Sequence, residues 1–81
     1  MKKERLIIES IRYITGNQKT VKVQGESTEL DAYKNVLNAS RKLYETLQRK
    51  DADLQEIENL VERKRQAASK FKKVTGQSWP L

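Results

Sequence analysis

The chain contains no cysteine and no histidine. Without cysteine there is no disulfide and no thiolate zinc site, and nothing marks an oxidising compartment. Without histidine the commonest general base and metal ligand is missing, together with every Ser/His or Cys/His nucleophile system. Carboxylate, lysine or tyrosine chemistry would be all that is left. No glycine-rich phosphate loop is present, and no Asp-x-Asp loop with a following glycine. The carboxylates Asp51, Asp53, Glu56, Glu58 and Glu62 cluster within one helix, and the i,i+4 pair Glu58–Glu62 reads as a solvated face. Neither an enzyme nor a cofactor nor a metal is expected. Long apolar runs are also missing, so no membrane span and no membrane partner are expected. The Leu6–Ile8 run is ended by Glu9 before it reaches signal-peptide length. A cytoplasmic protein is the resulting expectation.

Glycine and proline are scarce, three and one in 81 residues, which favours helices. The chain is long enough for one small domain over residues 1–81. A domain of this size buries only about 60% of its unfolded surface. Hydrophobic residues make up 36% and charged residues 35%. That combination supplies one core and long solvent-facing helices.

Residues 3–15 place Ile7, Ile11 and Ile14 at helical spacing, with Ile8 beside them and Gly16 as a stop. Residues 5–14 also carry strand formers, so a hairpin turning at TGNQ stays open as a second reading. Residues 19–24, KTVKVQ, alternate, with Val21 and Val23 on one side. A lone strand needs a partner for its backbone groups. If residues 5–14 are helical, Val21 and Val23 mark an oligomer strand that pairs with another chain.

A helix is expected over 28–50, opened by the spacing Thr28-Glu29-Leu30-Asp31 and carrying the stripe Leu30, Tyr33, Val36, Leu37, Leu43, Tyr44 and Leu47. Another is expected over 52–75, capped by Asp51 or Asp53 and stopped by Gly76. A single continuous helix would put Asp51, Glu58 and Arg65 in its seam, so a hairpin turning near residue 50 is preferred. That turn would set Leu47 against Leu54, Tyr44 against Ile57, Tyr33 against Ala68 and Leu30 against Phe71. Lys64 would face Leu37 and carry its ammonium outward.

The net charge is +6 and unevenly spread. Residues 51–62 carry five acids and no base; residues 63–81 carry six bases and no acid. Two accounts of VERKRQAASKFKK follow. In one, bases at a helix end complement its dipole and the acids at the start of the neighbouring helix. In the other, Arg63, Arg65, Lys70, Lys72 and Lys73 join Lys2, Lys3 and Arg5 in a phosphate-binding surface. The tail holds the only tryptophan. Trp79 either folds back to close the core or, with Leu81, anchors a partner.

The fold expected is therefore mostly α: a short N-terminal helix, one short β-strand or extended segment, then a long antiparallel helical hairpin and a tail over 76–81. The function expected is that of a small, non-enzymatic, basic interaction protein. It would self-associate, most simply as a homodimer, and bind nucleic acid with modest, salt-sensitive affinity. The alternative is a protein-binding adaptor or inhibitor that uses the hairpin face and Trp79 without nucleic acid.

Overall fold

The first apolar spacing of the chain forms a helix, α1 (Lys3–Ile14). The computed structural model describes residues 3–81, with side chains from Arg5 onward. The strand reading of residues 5–14 is set aside. The buried face is not the one that the isoleucines suggested: Leu6, Ser10 and Ile14 are inside, while Ile8 and Ile11 are exposed. Ser10 can be buried because its hydroxyl donates to the Leu6 carbonyl at 2.5 Å and accepts from the Tyr33 hydroxyl at 2.8 Å. A serine carries one hydroxyl hydrogen, so the tyrosine must be the donor of the second bond. Gly16, at φ 82°, then turns the chain in the left-handed region.

The strand expected over 19–24 does not form; among the described residues there is no strand. Residues 17–26 instead make a strap. Ser10 meets Tyr33, and the Tyr13 hydroxyl donates to Asn38 Oδ1 at 2.9 Å, so α1 and the next helix run in the same direction. Parallel neighbours need a return crossover. Extended chain covers about 3.3 Å per residue against 1.5 Å in a helix, so a short strap suffices. Val21 and Val23 pack half-buried on the core of their own chain. The Glu9 carboxylate accepts from the Gln18 side-chain amide and, at 3.2 Å, from the Lys22 backbone N–H. The Gln18 amide first, and the Lys22 N–H second, hold the Glu9 carboxyl below the usual carboxylate range. These partners replace a strand neighbour.

The hairpin consists of α2 (Ser27–Gln48) and α3 (Leu54–Thr75). The N-cap of α2 is Glu26, two residues ahead of the expected capping spacing, and its N–H donates to Glu29 Oε1 at 3.3 Å. Asp53 caps α3 as expected from sequence, accepting from the Glu56 N–H at 2.7 Å. Gly76 ends α3 at φ 76°, its N–H bonded to the Lys72 carbonyl at 2.8 Å. The connection occupies residues 49–53, where Arg49 bridges Asp51 at 3.3 Å and Glu56 at 3.1 Å.

Tyr33 lies ring to ring with Phe71, centroids 6.4 Å apart, and Ala67 and Ala68 pack against the same core. The core is Leu6, Ile14, Ala32, Tyr33, Val36, Leu37 and Phe71, all at the end of the hairpin that α1 covers. Leu47 and Leu54 do not seal the turn. They are 58% and 70% exposed, because α1 stops at Ile14 and leaves the loop end of the hairpin without a third layer. Among the described residues no helix is long and apolar enough to cross a membrane.

Candidate functional site

The two long faces of the hairpin differ in what covers them. One face holds α1 and the tail. Trp79 lies against the core, its ring edge-on to Phe71 at 5.4 Å and tilted to Tyr33 at 5.9 Å. The Trp79 indole N–H donates to Ser40 Oγ at 3.0 Å, and Ser40 in turn donates to the Val36 carbonyl at 2.8 Å. Lys64 swings its ammonium to the Leu81 backbone oxygen at 2.5 Å. Of the two readings of the tail, the one that folds back describes this geometry. Trp79 is engaged by its own chain, and Leu81 borders an apolar groove with Ile11, Leu43, Tyr44 and Leu47.

The other face forms a groove between α2 and α3, which α1 reaches only through the Tyr13 bond to Asn38. Its walls are Asn35, Asn38 and Lys42 from α2, and Arg63, Gln66 and Lys70 from α3. Ala39 and Ala67 make the floor. The reason is local. Asn35, Asn38 and Lys42 recur at i, i+3 and i+7, as do Arg63, Gln66 and Lys70, so each set makes one row along its helix. Small residues between the rows let the helices approach, and long cationic side chains rim the cleft. Three cations and three amides line it, and no carboxylate does. Outside the lining, the Glu62 carboxylate accepts from the Gln66 amide at 3.4 Å and pairs with Arg65 at 3.5 Å.

The residues singled out from sequence are thereby divided. Arg63 and Lys70 share the groove. Arg65 lies on the opposite flank, beside Trp79 and Pro80. Lys72 and Lys73 are exposed in the last turn of α3. Arg5 is exposed near the start of α1. Leu6 and Phe71 share the core, so the first turn of α1 and the last turn of α3 are at one end of the molecule. Lys2 lies outside the described residues, as does the side chain of Lys3. Lys42 and its two asparagines escaped the sequence reading. Their i, i+3, i+7 spacing, one step round the helix from the apolar stripe, was the available signal.

Other charged groups serve the fold. Arg41 lies over the Tyr13 ring, 4.6 Å from its centre, and bonds Glu45 at 2.8 Å. The Glu45 carboxylate first, and the Tyr13 hydroxyl second, raise its pKa. Asp53 caps α3, while Asp51 and Glu56 pair with Arg49. Among the described residues no three carboxylates come together to hold a metal ion.

No protein-family model, no curated protein and no solved structure matches this chain.

Proposed function

We propose that the protein is a small, non-enzymatic, basic interaction protein that binds the phosphate backbone of nucleic acid through the groove between α2 and α3. The observation that carries this reading is the acid-free lining of that groove, with Lys42, Arg63 and Lys70 around Asn35, Asn38 and Gln66. Cations supply attraction to phosphate, and amides donate to phosphate oxygens. Lys72, Lys73 and Arg5 add positive potential at the open end of the cleft, while Arg65 faces away and contributes to the long-range field only.

The same geometry supports contact with the duplex backbone rather than with bases. Two helices packed side by side are together about 20 Å across, wider than the roughly 12 Å major groove. No aromatic ring lines the cleft, so unpaired bases have no stacking platform there. Affinity without sequence preference follows.

The test is fluorescence anisotropy of a labelled random duplex. The variant Lys42→Gln/Arg63→Gln/Lys70→Gln is expected to bind at least about tenfold more weakly than the parent. The variant Arg65→Gln removes one charge from the far flank and is expected to lose less than a third of that change in log affinity. An equal loss per charge removed in both would reduce the effect to net charge and remove the groove from the account.

A further inference from the structure

The tail-bearing face leaves several large apolar side chains open to solvent. Ile11, Tyr44 and Leu47 are 44%, 37% and 58% exposed, and together with Leu43 and Leu81 they enclose one apolar groove. Leu43 and Leu81 also border the adjoining cleft, which runs on to Val61 and Arg65. Leu54, 70% exposed, lies on the same row of α3. Contiguous apolar surface of this kind marks an interaction site.

The charges beside it say what covers it. Leu54, Glu58, Val61, Arg65 and Lys72 follow one another at spacings of four, three, four and seven, which makes them one row along α3. The row runs acidic to basic. Aligned in parallel with a copy of itself, it would set Glu58 against Glu58 and Arg65 against Arg65. Reversed about a two-fold axis near Val61, it sets Glu58 against Arg65 of the second copy and leaves the apolar groups between them. Like charges facing each other are costly, and the reversed arrangement removes them.

We infer that this face is the interface between two copies of the chain, packed antiparallel about a two-fold axis that crosses α3 near Val61. A two-fold interface uses the same patch on both partners, as this self-complementary row does. A molecule 38 Å long and 26 Å across has room for the roughly 800 Å² per partner of a stable dimer. Val21 and Val23 take no part, since they pack on their own core. The groove rimmed by Lys42, Arg63 and Lys70 is on the other face of the hairpin and stays open in each subunit.

Sedimentation equilibrium over a concentration series, without nucleic acid, tests the inference. The parent is expected at twice the chain mass. Glu58→Arg and Arg65→Glu are each expected to raise the dissociation constant about tenfold or more, and the double variant to return it close to the parent value. Leu47→Glu, at a position 58% exposed, is expected to yield a monomer with an unchanged helical circular-dichroism spectrum. A parent that stays monomeric up to about 1 mM overturns the inference. So does a dimer that neither the charge reversals nor Leu47→Glu weaken. Lys42→Gln/Arg63→Gln/Lys70→Gln should dimerise like the parent, which keeps the fate of the interface separate from that of the phosphate groove.

Discussion

Ser10 and Tyr33 show how single residues decide this core. Neither helix α1 nor α2 could bury a hydroxyl unpaired, because an unsatisfied polar group costs about 1–3 kcal/mol. The Tyr33 hydroxyl donates to Ser10, and the Ser10 hydroxyl donates to the Leu6 carbonyl. Tyr33→Phe is therefore expected to cost about 1 kcal/mol in chemical denaturation, since Ser10 keeps its backbone partner. Burial raises the Tyr33 pKa, against a smaller opposing effect of the Ser10 bond. The folded state thus favours the neutral phenol. That contribution is intact below the ordinary tyrosine value of about 10 and is lost as pH climbs through the raised folded value. Tyr33→Phe should lose less stability than the parent across that alkaline window. Trp79 makes the second decision. Its ring completes a three-ring cluster with Tyr33 and Phe71. Trp79→Ala is expected to cost about 2–3 kcal/mol, less than for a fully buried ring, and to leave duplex binding unchanged. None of this was legible in advance at Ser10, which looked like a polar position among isoleucines.

At the scale of elements the ends of the helices were more legible than their faces. Asp53 and Gly76 announce a start and a stop because each meets a backbone requirement that few residues satisfy. Asp53→Ala is expected to cost about 1 kcal/mol through the lost bond to the Glu56 N–H. Gly76→Ala should cost about 1 kcal/mol, because an L side chain at φ 76° is strained even with open space around it. Thermal unfolding of both variants checks these values. The faces were harder to read because a periodic stripe names the residues able to face a core without fixing which ones do. Tyr33 reaches Phe71, one turn beyond the Ala68 expected opposite it, because a long aromatic side chain spans to the next turn. The alternation at Val21 and Val23 read as a strand because a strap lying on a helical core needs the same inward period. What separates the two is the partner, and Glu9 is not visible as one from spacing alone.

At the scale of the whole molecule, the basic run quoted from the sequence does two jobs on two faces. Arg63 and Lys70 join Lys42 over a cleft, whereas Arg65 sits beside the tail. At about 100° per residue, Arg63 and Lys70 fall on one side of α3 and Arg65 and Lys72 on the other. Spacing did not show that α2 supplies a third cation to one of the two sets, since that depends on the hairpin register. The central claim is that these three groove cations meet phosphate. It is tested most directly by the slope of log affinity against log salt for a random duplex. Neutralising three phosphates gives a slope of about −3 and a loss of about 40-fold between 50 and 200 mM salt. The account predicts that slope for the parent and a value reduced by nearly all of it for Lys42→Gln/Arg63→Gln/Lys70→Gln. A parent that does not bind at the lower salt, or a slope that the triple variant leaves unchanged, would contradict it.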